Sequence, residues 1–402
     1  MSHPITEPVT PRPPTNADAA PPQTMLGGIK FPTTALRAYT MVLALVVIWA
    51  IFAYATDGIF LESRNFSNLI RQTAVTGVLA VGMLMVILTG QIDLSVGSLT
   101  GLTGSIAAIA MTWLGWGVAP SLAAGIAVGI AVGALHGTLV AYANIPSFIV
   151  TLGGLLAWRG VVKGITKGNT IPAGLPSFKV LGQSYVSPMT GYALAALAVA
   201  AIAWLAISRS RARARLGLAA PNALGTIARI VVPSALVVGF IVALNAYAGV
   251  PVPVIVLLAV ALAGAFLTQH TTFGRYLYAI GGNPDAARLS GISLRRHLLA
   301  VFCLIGALAG VAGMVYTSRV GSASPDAGVL LELDAIAACV IGGASLMGGR
   351  GTIFGACLGA LFMASLDNGM SLKNVPDFTQ DIVKGAILVA AVGFDMLGRR
   401  RA

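Results

Sequence analysis

Two long stretches of this chain carry no charged residue. Residues 94–158 and 230–274 contain no Asp, Glu, Lys or Arg. A helix that crosses a bilayer needs about 20 apolar residues to span roughly 30 Å of hydrocarbon, so the stretches have room for about three and about two crossings. Soluble domains carry roughly 25% charged residues, whereas this chain of 402 residues carries 9% and is 57% hydrophobic. The sequence therefore predicts an all-α integral membrane protein.

Apolar stretches between charge and turn signals predict twelve helical segments. They cover residues 38–56, 73–90, 96–113, 118–142, 147–164, 189–207, 230–249, 252–269, 298–317, 335–348, 352–366 and 383–397. The segments 335–348 and 352–366 are short for a full crossing, which favours tilted, broken or re-entrant helices. We therefore expect a polytopic bundle of about 10–12 transmembrane or re-entrant helices, forming one domain over residues 38–402. Residues 1–37 are proline-rich at their start and are predicted to be a disordered cytoplasmic tail.

The distribution of basic residues predicts the orientation. The net charge of +12 lies in short clusters between apolar segments, which is typical of the positive-inside rule rather than of nucleic-acid binding. Counting crossings from a cytoplasmic N-terminus places the arginines of 208–229, of 270–297 and of the C-terminus in the cytoplasm. The same count places five carboxylates outside: Asp326, Glu332, Asp334, Asp367 and Asp377. Asp367 and Asp377 are interpreted either as contacts for an external protein or as an ordinary solvated loop.

Glycines mark two further features. Four glycines recur every four residues, at Gly125, Gly129, Gly133 and Gly137. This spacing lets a neighbouring helix approach closely, in either a mobile or a simply well-packed bundle.

Two apolar segments are interrupted in a similar way, at 90–97 and at 342–349. Paired interruptions in the two halves of a transporter commonly mark inverted repeats. The two interruptions therefore indicate a possible internal inverted repeat in this chain.

The stretch 273–292, within a predicted cytoplasmic loop of about 270–297, has the signals of a short, well-capped helix. Asn283 is a good N-cap, Pro284 suits the first helical position, and Asp285 complements the helix dipole. Gly291 is placed to end the helix. The adjacent glycine pair is expected to be flexible. We predict a rigid surface that docks another protein, formed by Gly281, Gly282, Asn283, Pro284, Asp285, Arg288 and Gly291.

A second candidate site lies between the segments 73–90 and 96–113. Gln91, Asp93 and Ser95 sit there, and an ionised Asp inside a membrane costs about 2.5–3.5 kcal/mol on insertion scales. Either this is a broken helix lining a pathway, or Asp93 caps a helix at the membrane edge. We favour the cap, because capping alone explains the residue. His136, on the glycine-rich face, is interpreted as a satisfied packing residue.

Several stretches resemble the ribose/xylose-type ABC transporter permeases. They are residues 92–98, 145–153, 278–292 and 332–343, and the resemblance runs from about residue 40 to the C-terminus. Gln91 stands where this family often has Gly. Residues 364–371 and 382–388 resemble most the members that carry D-xylose. The resemblance implies a sugar importer of the inner membrane, for D-xylose or another monosaccharide such as ribose. It also implies a homodimer, with cytoplasmic ATPase subunits on the 275–292 loop and a periplasmic sugar-binding protein.

Other classes of function fit less well. No lysine is followed by Ser or Thr, so the sequence has no Walker A motif. We expect no enzyme activity and no cofactor, with ATP hydrolysed by a separate subunit. An ion-coupled carrier generally needs ionisable residues at the midplane, and the uncharged stretches offer almost none. A membrane enzyme or a metal site would need convergent ligands or nucleophiles, which four histidines and three apolar cysteines do not supply.

Overall fold

The computed structural model describes residues 23–26, 29–216 and 223–399, which are largely helical. The helices are α1 Thr33–Ala55, α2 Ser63–Leu88, α3 Val96–Thr112, α4 Val118–Ala141, α5 Ser147–Thr166, α6 Pro176–Gln183, α7 Pro188–Arg215, α8 Ala223–Asn245, α9 Val252–His270, α10 Thr272–Gly282, α11 Pro284–Leu289, α12 Leu294–Val320, α13 Leu331–Ile341, α14 Ile353–Leu372 and α15 Asp377–Arg399. The short strands are β1 Gln23–Leu26, β2 Ile29–Pro32, β3 Ile171–Pro172, β4 Tyr185–Val186, β5 Val250–Pro251 and β6 Ser322–Ala323. They pair antiparallel as β1–β2, β3–β6 and β4–β5.

The prediction of a polytopic helical membrane protein is confirmed. Within the described residues, eight helices are long and apolar enough to cross a membrane: α2, α4, α5, α7, α8, α9, α12 and α14. The apolar part of α1 and the 17-residue α3 are shorter. Each of the twelve predicted segments falls on a helix, with α13 and α15 completing the set. The internal inverted repeat remains a prediction.

Several predicted boundaries are wrong. The segment 335–348 is helical only to Ile341, because Gly343 takes a left-handed conformation and turns the chain. Helix α2 begins at Ser63, ten residues before the predicted 73, and α6 and α10 were not predicted. The predicted tail falls mostly on residues 1–22 and 27–28, which lie outside the described part, so its disorder stays a prediction. Its last residues belong to β1, β2 and α1.

The bundle has two distinct ends. At the strand end, β3 pairs with β6 and β4 with β5, close to the starts of α7 and α9 and the finish of α12. At the opposite end, α9 leads into α10 and α11, and α12 begins. Since α7 starts after β4, its last turns also lie at this second end. Arginines are frequent in the loops and helix ends there, among them Arg209, Arg211, Arg213, Arg215, Arg229, Arg275, Arg288, Arg295, Arg296 and Arg350.

Helix α2 occupies the centre of the core. Its residues from Leu69 to Leu88 are almost all buried, and they pack against α9, α12, α13 and α14. Helices α4 and α12 form the closest pair, because glycines face backbone on both sides. A Cβ on Gly129 would overlap the carbonyl oxygen of Gly306, and one on Gly133 would overlap that of Phe302. The glycine stripe of α4 is therefore a tight packing face.

Candidate functional site

The predicted capped helix is present as α11. The Asn283 side chain accepts a hydrogen bond from the backbone N–H of Ala286 at 3.0 Å, and Pro284 occupies the first turn. Gly291 follows in a left-handed conformation, where a side chain would be strained. The backbone N–H of Ile292 donates to the Ala287 carbonyl at 3.0 Å and closes the helix. These local signals fix a short helix between α10 and α12; its docking role remains a prediction.

The expectation that Gly281 and Gly282 form a flexible pair is wrong. Both residues belong to the last turn of α10. A Cβ on Gly281 would overlap the Leu88 carbonyl oxygen and lie 2.5 Å from the Gly349 nitrogen, whereas one on Gly282 would meet nothing within 4 Å. Gly281 is therefore a residue of close backbone approach.

Gly281 lies at a contact of three chain segments, which we name the glycine junction. It consists of Leu88, Gly90, Gly281, Gly348 and Gly349. The Gly349 N–H donates to the Leu88 carbonyl at 3.0 Å. A Cβ on Gly348 would lie 2.9 Å from both the Cα of Gly281 and the nitrogen of Gly90. The two interruptions noted in the sequence, 90–97 and 342–349, thus meet each other and the end of α10.

The interruption between α2 and α3 runs back into the bundle. Ile92 is held against the start of α5, where its N–H donates to Ser147 Oγ and its carbonyl accepts from Thr151 Oγ, both at 3.3 Å. Ser95 lies further along α5, because a Cβ on Gly154 would be 3.2 Å from the Ser95 Cβ. Gly154 is about 10 Å along the helix axis from Ser147. The start of α3 is therefore inside the protein.

Asp93 and Ser95 belong to a buried chain of polar side chains. One Asp93 carboxylate oxygen accepts from the Ser95 N–H at 2.8 Å and from Ser95 Oγ at 2.6 Å. Ser95 Oγ lies 3.3 Å from His136 Nδ1, and Trp158 Nε1 donates to His136 Nε2 at 3.0 Å. Because Trp158 can only donate, His136 Nε2 carries no proton; the ring is therefore neutral with its proton on Nδ1, which donates to Ser95 Oγ. Asp93 is 2% exposed, and the N-cap of α3 is Ser95, two residues further on. The favoured interpretation of Asp93 as a helix cap at the membrane edge is therefore wrong: its carboxylate accepts from the N-cap residue inside the protein.

Two charged residues near this chain were missed as candidates for the site. Glu332 is buried against α3, since a Cβ on Gly97 would overlap its carboxylate. Arg159 reaches the next turn of α3, and its Nη1 donates to the carbonyls of Ala327 at 2.6 Å and Pro325 at 3.2 Å. The position of Arg159 inside the predicted segment 147–164 could have identified it, because ionisable residues within membrane helices are commonly functional. Glu332 lies in the first turn of α13 and not in the loop before it, while its position on the outer side of the membrane remains a prediction.

Asp334 and Asp367 are also not solvated loop residues. Lys384 Nζ lies 2.7 Å from Asp367 and 3.5 Å from Asp334, which joins α13, α14 and α15. The Asp334 side chain is 7% exposed and that of Lys384 19%. One cation shared by two carboxylates in this setting holds three helices together. Asp326 differs, since it forms an exposed ion pair with Lys163.

The described residues contain no group of three or more His, Cys, Asp or Glu side chains placed to hold a metal ion. The polar groups instead form a buried hydrogen-bonded chain inside the bundle and a backbone contact at one end. Interrupted helices around buried polar residues in a multi-helix membrane protein are typical of transport permeases.

The chain belongs to the family described as "Branched-chain amino acid transport system / permease component", which matches residues 65–216 and 216–392. It is similar to the xylose transport system permease protein XylH of Escherichia coli K12, at 48% identity over 91% of this chain and 93% of the relative. XylH of Haemophilus influenzae is 47% identical over 92% of this chain and 99% of the relative. The ribose import permease protein RbsC of E. coli K12 is 35% identical, over 93% and 98%. No solved structure matches the chain significantly.

Proposed function

We propose that this chain is the membrane-spanning subunit of an ABC importer that carries D-xylose across the inner membrane. In this proposal two copies form the translocation unit, cytoplasmic ATPase subunits supply the energy, and a periplasmic binding protein delivers the sugar. The observation that carries the choice of sugar is the higher identity to the xylose permease, 48% against 35% for the ribose permease over similar shares of the chain. Both termini are cytoplasmic, and the chain itself is not an enzyme.

The geometry of α11 supports its role as the ATPase contact. Leu289, its last residue, is 89% exposed, although it is apolar. Exposed apolar residues rimmed by polar ones are typical of protein interfaces, and Arg288 lies beside it. The capping of Asn283 and the packing of Gly281 hold this surface in one orientation. Gly281, Gly282, Asn283, Pro284, Asp285, Arg288 and Gly291 thus form the proposed coupling segment.

The coupling segment leads directly to the interruption between α2 and α3. Motion of α10 reaches Leu88 through the glycine junction, and the interruption carries Gln91, Asp93 and Ser95 into the bundle. We propose that displacement of this interruption opens and closes the sugar pathway beside Arg159 and Glu332. The hydroxyl groups of a sugar match such hydrogen-bonding groups, without needing a fixed charge.

The test is uptake of labelled xylose by proteoliposomes that contain this chain, its ATPase and its binding protein. Uptake should require all three proteins and ATP in the compartment that contains the ATPase. Neither ribose nor leucine should dilute the label; leucine tests the amino-acid substrate named in the family description. Uptake that follows an ion gradient without ATP would overturn the importer, and dilution by ribose or leucine would overturn the choice of xylose.

The coupling role is tested by the double variant Asn283→Val and Gly291→Val. It removes the cap and places a β-branched residue in a left-handed conformation, so α11 loses both defined ends. ATP hydrolysis should continue while xylose uptake falls. Gly239→Val, on the open surface of α8 and outside the coupling segment, is the control and should retain uptake. Normal uptake by the double variant would rule out the coupling assignment.

Orientation is tested with Leu289→Cys. Because this side chain is exposed, a membrane-impermeant maleimide should label the introduced thiol in inside-out vesicles and leave it unlabelled in intact cells. The control is the protein without the introduced thiol. It should be labelled far less, because its own cysteines, Cys303, Cys339 and Cys357, are buried or half-buried. Labelling of the introduced thiol in intact cells would reverse the proposed topology.

A further inference from the structure

Helices α7 and α8 form a hairpin at the periphery of the bundle. Helix α7 packs chiefly against α8, and α8 makes only a small contact with α2. Large apolar side chains along the hairpin are exposed, including Trp204 at 68% and Leu236 at 71%. In a membrane protein such a surface faces lipid. The hairpin therefore presents an apolar surface that suits contact with the bilayer along much of its length.

A cavity of about 680 Å³ lies between the two helices at the end away from the strands. Arg209 and Arg213 of α7 and Arg229 of α8 line its outer part. Ile202 and Leu205 line its inner part. From Ile202 to Arg213 the lining extends about 16 Å along the axis of α7. The cavity is thus basic at the membrane boundary and apolar toward the hydrocarbon.

The protein supplies this arginine cluster with no carboxylate from nearby in the chain. The sequence contains no Asp or Glu between Asp93 and Asp285, so the whole hairpin is free of acidic residues. Among the described residues, the ion pairs are those of Lys163 and Lys384, and none involves the three arginines. Three guanidinium groups that line one cavity offer hydrogen-bond donors and positive charge to an anion. Because the hairpin has no acidic residue, such an anion would come from outside it.

We propose that this cavity binds an anionic glycerophospholipid, with the phosphate between Arg209, Arg213 and Arg229 and an acyl chain along Ile202 and Leu205. Guanidinium groups bind phosphate oxygens through paired hydrogen bonds, and basic pockets between membrane helices bind anionic headgroups. A free phosphate ion would leave the apolar part empty. A carboxylate of a soluble subunit would not bring hydrocarbon to it. A phospholipid matches both parts of the lining at once.

The same helix end provides a matched control. Arg211 and Arg215 lie on α7 within two residues of Arg209 and Arg213, are exposed like them, and do not line the cavity. Two residues correspond to about 200° around a helix axis, so these side chains point away from the cavity lining. The pairs Arg209→Gln with Arg213→Gln and Arg211→Gln with Arg215→Gln remove the same charge from the same turns. Only the first pair changes the proposed site.

The experiment measures binding of phosphatidylglycerol and phosphatidylcholine to the purified full chain in detergent, by native mass spectrometry and by the shift of the melting temperature. The wild-type protein should bind and be stabilised by phosphatidylglycerol, and far less by phosphatidylcholine. Each arginine near the surface contributes roughly fivefold, so R209Q/R213Q should weaken phosphatidylglycerol binding roughly thirtyfold and R211Q/R215Q only slightly. R229Q, on the other helix, should weaken it roughly fivefold.

Other outcomes overturn the proposal. Equal losses in R209Q/R213Q and R211Q/R215Q would show diffuse attraction to the helix end and no defined site. Full stabilisation by inorganic phosphate alone would identify a free anion as the ligand. Unchanged lipid binding combined with lost capture of the ATPase subunit by R209Q/R213Q would assign the arginines to a protein contact. Size-exclusion elution at the wild-type position shows that each variant is folded.

Discussion

Replacing Gly281 by Ala adds one methyl group at the glycine junction. The new Cβ overlaps the Leu88 carbonyl oxygen and lies 2.5 Å from the Gly349 nitrogen. These two atoms belong to the same hydrogen bond, in which Gly349 N–H donates to Leu88 at 3.0 Å. Both are backbone atoms, so no rotamer change relieves the overlap. Either α10 moves away or the hydrogen bond breaks.

The magnitude follows from three contributions to the free energy of unfolding. Helix propensity favours Ala over Gly by up to about 1 kcal/mol. Overpacking costs about 1–3 kcal/mol, and a buried backbone group left without its partner costs about 1–3 kcal/mol. The net expectation for Gly281→Ala is a destabilisation of about 3 kcal/mol. For Gly282→Ala only the propensity gain applies, because a Cβ there meets nothing within 4 Å.

The assay compares these neighbouring variants in two measurements. Thermal unfolding of the purified protein reports the destabilisation, and ATP-driven xylose uptake with the partner proteins reports coupling. Gly281→Ala should lower both the melting temperature and the uptake, whereas Gly282→Ala should leave the melting temperature at or above wild type. If the two variants melt alike, the close backbone contact at Gly281 does not exist in solution.

Two further predictions test the packing. Lys384→Met leaves the Asp334 and Asp367 carboxylates without their cation and should destabilise the protein by about 3 kcal/mol. Adding Asp334→Asn and Asp367→Asn to this variant should recover much of the lost stability in thermal melts. If stability does not recover, the three residues do not share an ion pair. Gly129→Leu should prevent α4 from approaching α12 and abolish stable expression, because its Cβ would overlap the Gly306 carbonyl. The control Gly239→Leu lies on open helix surface and should express normally. Equal expression of the two variants would refute the tight contact between α4 and α12.

The positions of the helices could be predicted from the sequence, because helices buried in lipid or protein consist of long apolar stretches. The ends of the helices could not be predicted where polar residues form hydrogen bonds with residues distant in the sequence. Helix α2 starts early because Arg71 donates to the Gly182 carbonyl and Tyr185 hydroxyl, and Asn65 to Asn368. These contacts allow polar residues inside a helix that hydropathy alone excludes. Conversely, apolar residues continue beyond Ile341, although the backbone turns there at Gly343.

The candidate site divides in the same way. The capping of α11 is encoded within nine residues, from Asn283 to Gly291, and could be predicted locally. Its docking role is untested. The contact of Lys384 with Asp334 and Asp367 joins residues up to 50 positions apart on three helices, and no local pattern predicts it. The interpretation of His136 as a satisfied packing residue agrees with its two hydrogen bonds, but its link to Asp93 depends on how α3, α4 and α5 meet.

The contact between α10 and the interruption after α2 includes direct contact between main-chain atoms at the glycine junction. Side chains act as springs, because rotation about their bonds absorbs small displacements before these reach the next element. At Gly281, Gly349 and Leu88 no such spring exists, since the backbones touch directly. We therefore expect the junction to be stiff, so that in the proposed coupling a shift of α10 would displace the end of α2, five residues before the buried Asp93.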